Sequence, residues 1–223
     1  MDFHFIAETD LFCGCSEEDV RNMAEHLGFR SIACRKGTVI YQEGTSVTDI
    51  GLVLSGSVQI GHNDFWGNQS ILGIVPAGGV FAEAYACIPG ERLMIEVIAN
   101  EPCEILFISV PGLFTPCTAC SIQHKLIQNL ITISAKKNLQ LSRRSLHTSP
   151  KTIRERLLSY FSQIIAEQGS RKIQLPFDRQ QLADYLNIDR SALSKELGKM
   201  KKDGLIDYRK NRFEIKKYNG LLL

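Results

Sequence analysis

At 223 residues, with 44% hydrophobic and 22% charged side chains, the chain can build two modest cores and is too apolar to be disordered throughout. No apolar run reaches the roughly 18–20 residues of a membrane span, and the start Met1-Asp2-Phe3-His4-Phe5 lacks the basic and apolar regions of a secretory signal, so a cytoplasmic location is expected. The net charge of +2 hides an asymmetry: residues 1–116 hold five basic and fifteen acidic side chains, 117–149 hold five and none, and 150–223 hold sixteen and nine. Only the rear of the chain favours a polyanion.

Seven cysteines in a chain without an export signal suit a reducing compartment, where thiols stay free or bind metal. Near the start, Ser16 precedes Glu17, Glu18 and Asp19 and caps a predicted helix with Val20, Met23, Ala24 and Leu27 at helical spacing. From Arg35 to Phe107 glycines punctuate short apolar runs: 39–41, 52–54, 58–60, 70–75, 95–98 and 104–108. Their length and turn residues predict an antiparallel β-barrel or β-roll domain over 1–116. Trp66 reads as part of a hairpin tip.

Between Thr118 and Arg144 neither glycine nor proline occurs, and the period changes to that of a helix. Ile122, Leu126, Leu130 and Ile133 fall on one face, widened by Ile127 and Ile131. A helix of this length outruns a small domain, so its stripe needs a partner: a second copy of the chain in a two-fold dimer, or the chain's own β-roll. Cys117, Cys120 and His124 share a face at its start. Thiolates plus imidazole suit zinc, an iron–sulfur cluster or haem iron, which would make a redox sensor, and the same cysteines also suit small apolar positions. Thr148-Ser149-Pro150 breaks the helix, so 117–149 reads as a dimerisation helix and hinge.

From 150 to 223 the pattern is helix, extended Ile173-Gln174-Leu175, helix capped by Asp178, a turn at Asn187-Ile188-Asp189, a helix from Arg190 to Lys202, and a hairpin turning at Lys210-Asn211. Ala183 supplies the small residue of a tight two-helix corner, and Asn187 tolerates the left-handed turn. Leu182, Leu186, Ile188, Leu193, Leu197 and Met200 supply anchors. This is the order of a winged helix-turn-helix. With the anchors inward, Arg190, Ser191, Ser194 and Lys195 face outward where a recognition helix touches base edges, Lys199, Lys201, Lys202, Arg209, Lys210 and Arg212 lie near where phosphates would pass, and Arg179 is a further candidate DNA contact.

Taken in order, these residues resemble the Crp/Fnr superfamily of bacterial transcription regulators over essentially the whole chain. Lys36-Gly37-x-x-Ile40-x-x-x-Gly44 and Ile50-x-x-Val53-x-x-Gly56-x-Val58-x-Ile60 look like its cyclic-nucleotide-binding β-roll. Arg179-Gln180-x-Leu182-Ala183-x-Tyr185-Leu186 with Asp189-Arg190-Ser191-Ala192-Leu193-Ser194 looks like its helix-turn-helix.

The resemblance implies an α+β fold: an N-terminal β-roll related to jelly rolls, a dimerisation helix and a C-terminal winged helix-turn-helix. It also implies a homodimer on a two-fold symmetric site in double-stranded DNA, RNA polymerase as a partner if the protein activates, and a small-molecule or redox effector. Nucleotide-binding members carry Phe-Gly-Glu-Leu and, ten residues after the Glu, an Arg followed by Ser or Thr. Here those positions read Phe81-Ala82-Glu83-Ala84 and Leu93-Met94. A pocket of Phe81, Glu83, Leu93 and Met94 would desolvate a phosphodiester without its guanidinium, unless Arg92 took that place, so cyclic AMP is not expected as effector. An enzyme of the metal-dependent β-barrel kind is the remote alternative. It lacks support, since no His-x-His, Gly-x-Ser-x-Gly or phosphate-loop motif occurs.

Overall fold

A computed structural model describes residues 1–63, 69–115 and 120–216; Trp66, Cys117 and the tail from 217 lie outside the described residues, as do the side chains of 63, 69–71 and 120. Two compact units emerge, residues 1–136 and 137–223, and the division falls inside one long helix.

The first unit opens with helices α1 (Phe3–Glu8) and α2 (Glu17–Met23), the latter closed by a reciprocal cap between Ser16 and Asp19. Strands β1 (Arg30–Cys34), β2 (Val39–Tyr41), β3 (Asp49–Ser55), β4 (Ser57–Asn63), β5 (Gln69–Pro76) and β6 (Val80–Phe81) follow. Then come helix α3 (Glu83–Ala86), β7 (Glu96–Ala99), β8 (Cys103–Ser109) and helix α4 (Val110–Phe114). The strands form two four-stranded sheets, ordered β1-β8-β3-β6 and β2-β7-β4-β5, with every pairing antiparallel.

The alternation of side chains along β3 and β8 explains why they read as nearly unbroken apolar runs: they are covered on both faces. Val53, Ile105 and Phe107 join Val58, Phe81 and Val97 in a core drawn from both sheets. Ile50, Leu52, Leu106 and Ile108 turn the other way, into a second core with α1, α2, α4 and the long helix α5 (Cys120–Thr148).

That second core corrects the dimer-seam expectation. Leu126, Leu130 and Ile133 are buried in it and Ile122 packs against it, so the stripe of α5 covers the chain's own β-roll. Polar neighbours reinforce the attachment: the Lys125 ammonium donates to the Gly14 carbonyl (2.7 Å), and Asn129 donates to the carbonyls of Leu11 (3.0 Å) and Cys13 (2.9 Å). The opposite side of the helix stays open, with Ile131 63% exposed.

The second unit contains the end of α5, helix α6 (Ile153–Gln168), strand β9 (Lys172–Gln174), helices α7 (Arg179–Leu186) and α8 (Arg190–Lys202), and strands β10 (Ile206–Arg209) and β11 (Arg212–Ile215). A three-stranded antiparallel sheet β10-β11-β9 packs through Ile173, Ile206 and Phe213 onto a core of Leu157, Phe161, Leu182, Leu186, Leu193 and Leu197. Asp178 caps α7 reciprocally with Gln181, and Asn187 closes it in the left-handed region at φ 53°.

Candidate nucleic-acid interface and sensor pocket

Helix α8 begins at Asp189, whose carboxylate accepts from the Ala192 amide (2.9 Å) and from the Ser191 hydroxyl. The Ser191 hydroxyl and then the Ala192 amide hold this carboxyl below the ordinary aspartate value, so the cap is charged at neutral pH. With the first turn fixed, Leu193, Leu197 and Met200 point into the core, and Arg190, Ser191, Ser194 and Lys195 are all exposed. The sequence places these four on one outward face, and the structure does the same. The Ser194 hydroxyl donates to the Arg190 carbonyl (3.0 Å), whereas Arg190 and Lys195 have no ion pair among the described residues.

Two arginines position α7 and the turn before α8. Arg144, on α5, donates to the carbonyls of Tyr185 (2.9 Å) and Asp184 (2.8 Å). Arg156, on α6, donates to those of Leu186 (3.2 Å) and Asn187 (3.0 Å). Both donate to carbonyls at the end of α7 and place cations at the negative end of its dipole. On the far side, Arg154 joins α6 to α8 through Glu196 (2.6 Å) and to Asp203 (2.7 Å). Neither Arg154 nor Arg156 was singled out from the sequence. Their long side chains cross between elements at separations that helical periodicity does not encode.

The β10–β11 hairpin is the wing. Arg209 and Arg212 are direct cross-strand partners, both exposed and without an ion pair among the described residues. Like charges in register destabilise a hairpin. Between them Lys210 adopts φ 55°, a left-handed conformation that favours glycine. A cleft of about 470 Å³ beside this sheet is lined by charges of both signs, Lys172, Arg209 and Arg212 with Asp207 and Glu214.

Arg179 requires a correction. Its guanidinium lies over the rings of Tyr208 (4.8 Å) and Phe213 (4.9 Å) and donates to the Lys210 carbonyl (3.0 Å). Burial lowers its pKa from the ordinary arginine value, and the side chain braces the strained wing tip from beneath instead of projecting outward. Lys199 is exposed and lies 3.8 Å from Glu196.

In the sensor unit the four expected pocket residues differ in their surroundings. Phe81 is a core residue: it meets Tyr41 edge-on at 5.9 Å, and its ring lies where a Cβ on Gly51 would be. Leu93 is 1% exposed, with its amide and carbonyl bonded to the turn at Thr45 and Gly44, and Met94 is 70% exposed. Glu83 is buried at the start of α3. Ala82 before it sits at φ 62°, a conformation that costs an L-residue about 1–2 kcal/mol. Of the expected metal set, Cys117 and the Cys120 side chain lie outside the described residues, and His124 is exposed on α5. Among the described residues, no cluster of three or more His, Cys, Asp or Glu side chains could hold a metal ion.

Residues 32–117 match the cyclic nucleotide-binding domain family, and residues 155–222 match the Crp-like helix-turn-helix domain family. The chain belongs to the Crp/Fnr superfamily. It is therefore a DNA-binding transcription regulator, and Crp/Fnr regulators act as dimers. The Crp/Fnr architecture recurs in solved structures. CprK complexed with OCPA has 18% identity over 90% of this chain and 92% of its own, with a TM-score of 0.64. The c-di-GMP responsive global regulator CLP of Xanthomonas campestris has 21% identity over 89% and 100%, with a TM-score of 0.54. The catabolite activator protein of Thermus thermophilus has 18% identity over 93% and 94%, with a TM-score of 0.50. At these identities the likeness is one of fold. No curated protein matches the chain. Among the described residues, no helix is long and apolar enough to cross a membrane.

Proposed function

We propose that the protein is a cytoplasmic homodimer that reads a two-fold symmetric site in double-stranded DNA and responds to an effector other than cyclic AMP. The observation that carries this reading is the first two turns of α8, where Arg190, Ser191, Ser194 and Lys195 are exposed over an apolar underside of Leu193 and Leu197. Arg190 and Lys195 are suited to base acceptors, Arg to guanine above all, and the two hydroxyls to either donors or acceptors. The wing supports the same reading. Arg209, Lys210 and Arg212 concentrate positive charge where the hairpin itself gains nothing from it, and a phosphate backbone would relieve the repulsion. Lys199 adds a phosphate contact, and Arg179 acts through the wing it braces.

The dimer contact is assigned to the open side of α5. Ile127, Ile131 and Ala135 recur there every four residues, away from the face that covers the roll. Two such helices in a two-fold pair would present two copies of α8 to successive major grooves, about 34 Å apart. If the regulator activates, RNA polymerase is its further partner. The effector reading rests on Leu93, a buried apolar residue at the position where the family motif of nucleotide-binding members carries an arginine.

Titration of a labelled duplex at about 50 mM and about 200 mM salt tests the DNA-binding reading, with a loss of roughly a thousandfold expected if six or more phosphates are neutralised. Affinity insensitive to salt would contradict it. Saturating cyclic AMP in the same titration is expected to leave the curve in place.

A further inference from the structure

Neither the DNA interface nor the effector reading uses the thiols of Cys34 and Cys103. Cys34 ends β1, Cys103 begins β8, and the two are direct cross-strand partners, the last rung of that ladder. Directly opposed antiparallel residues have Cα atoms about 4.5 or about 5.5 Å apart, depending on the type of pair. Both values fall inside the roughly 4.4–6.8 Å over which disulfides close without moving backbone. The Cys34 thiol also stands near enough to help push the Cys103 thiol up. They lie on the inner face, 7% and 5% exposed, within the core between the two sheets. Backbone crowds the site from behind: a Cβ on Gly56 would stand 2.9 Å from the Cys103 Cβ and 2.4 Å from the Pro102 carbonyl oxygen. Solvent is close at the other end, because Arg35, Lys36, Glu101 and Pro102, which flank the rung, are all exposed.

We propose that Cys34 and Cys103 form a redox-convertible pair, a dithiol under reducing conditions and an intrachain disulfide when a small-molecule disulfide such as oxidised glutathione is in excess. In the first step one protein thiol loses its proton, and its sulfur attacks the oxidant. The oxidant's sulfur–sulfur bond breaks, giving a mixed disulfide and one departing thiolate. The second protein thiolate then displaces the remaining half of the oxidant. Two protein thiols and one small disulfide become one protein disulfide and two small thiols, two electrons pass to the oxidant, and the protons released re-form the departing thiols.

Burial raises the Cys103 thiol above its ordinary value, so the pair reacts when the terminal rung frays. Closure would place residues 35–102, including the Phe81-Ala82-Glu83 turn and every strand from β2 to β7, in one covalent loop. That loop is anchored where β8 sets out toward α4. Such a bond converts the roll to a second covalent state without a bound ligand.

The test uses the reduced full-length chain, held under native conditions in excess oxidised glutathione, quenched in acid, unfolded with N-ethylmaleimide and digested for mass mapping. The expected product is a peptide pair joining Cys34 to Cys103, two hydrogens lighter than the reduced peptides. It should revert with dithiothreitol, and it should persist in a variant carrying Cys13→Ser, Cys15→Ser and Cys87→Ser. Recovery of both cysteines as separate maleimide adducts, as glutathione adducts that never join, or as a linkage seen only after unfolding overturns the proposal. Because the product is read by mass in the wild-type chain, the outcome depends neither on DNA binding nor on how well a Cys34→Ser variant folds.

Discussion

The Arg144 guanidinium donates from Nε to the carbonyl oxygen of Tyr185 across 2.9 Å, tying the last turns of the long helix α5 to the end of the first helix of the helix-turn-helix. Its second nitrogen takes the Asp184 carbonyl (2.8 Å). The Tyr185 carbonyl is otherwise among those a helix leaves unmade at its C-terminus, and the Asp184 carbonyl also accepts the Asn187 amide (3.3 Å). Arg144→Ala is therefore expected to destabilise the C-terminal unit by about 1–3 kcal/mol. Arg144→Lys should recover part of that loss, since an ammonium replaces the charge but not the two-pronged geometry. Urea unfolding followed by circular dichroism measures both, and equal stability of all three proteins would remove Arg144 from this role.

Base readout and phosphate contact separate by mutation. Arg190→Ala is expected to cost about 1–3 kcal/mol on the preferred site and much less on unrelated duplex, relaxing preference at one position of the site. Lys210→Ala is expected to weaken binding to all duplexes alike and to lower the slope of log affinity against log salt by about one. Anisotropy titrations of both variants on preferred and scrambled duplexes decide it. A uniform loss for Arg190→Ala would move that residue to the backbone class.

The two sides of α5 give opposite outcomes. Leu130 is buried in the chain's own core, so Leu130→Ala should destabilise the sensor by about 2–5 kcal/mol. Ile131, one residue along and exposed, should tolerate Ile131→Glu without loss of fold while the dimer dissociates. Sedimentation velocity gives the mass and circular dichroism the fold. A dimeric Ile131→Glu variant would exclude that side of the helix as the contact.

Ala82 makes a prediction of the reverse sign. At φ 62° it occupies a conformation that glycine adopts freely, so Ala82→Gly should stabilise the sensor by about 1 kcal/mol, the relief of strain exceeding the entropy glycine adds to the unfolded chain. An unchanged or lowered melting temperature would mean that the surrounding turn already relieves Ala82.

The elements were legible where local chemistry decides them. Ser16 and Asp178 cap the helices expected of them, and Asn187 is left-handed in the turn. Strand β2 has the bounds the sequence suggested, Val39 to Tyr41. Strands β1 and β6 were not anticipated. Β6 is two residues long, and the Arg30–Cys34 run mixes polar and small side chains whose strand state comes from pairing with β8.

Among the functional residues, the outward set on α8 followed from helical period alone. The side of α5 that would meet a partner did not, because an apolar stripe records that something covers it and not what. Arg179 shows the same limit. Its charge suggested a DNA contact, and only the folded wing sets its guanidinium against the rings of Tyr208 and Phe213. Phe81 and Met94 were both expected at an effector pocket; strand β6 turns the phenylalanine into the inter-sheet core while Met94 faces solvent.

Selection of bound duplexes from a random-sequence pool by the full-length protein tests the central claim most directly. Enrichment of a two-fold symmetric sequence with half-sites about one helical turn apart, lost on Arg190→Ala, is the predicted result. An enriched sequence without two-fold symmetry, or no enrichment by protein that is folded and dimeric, would contradict it.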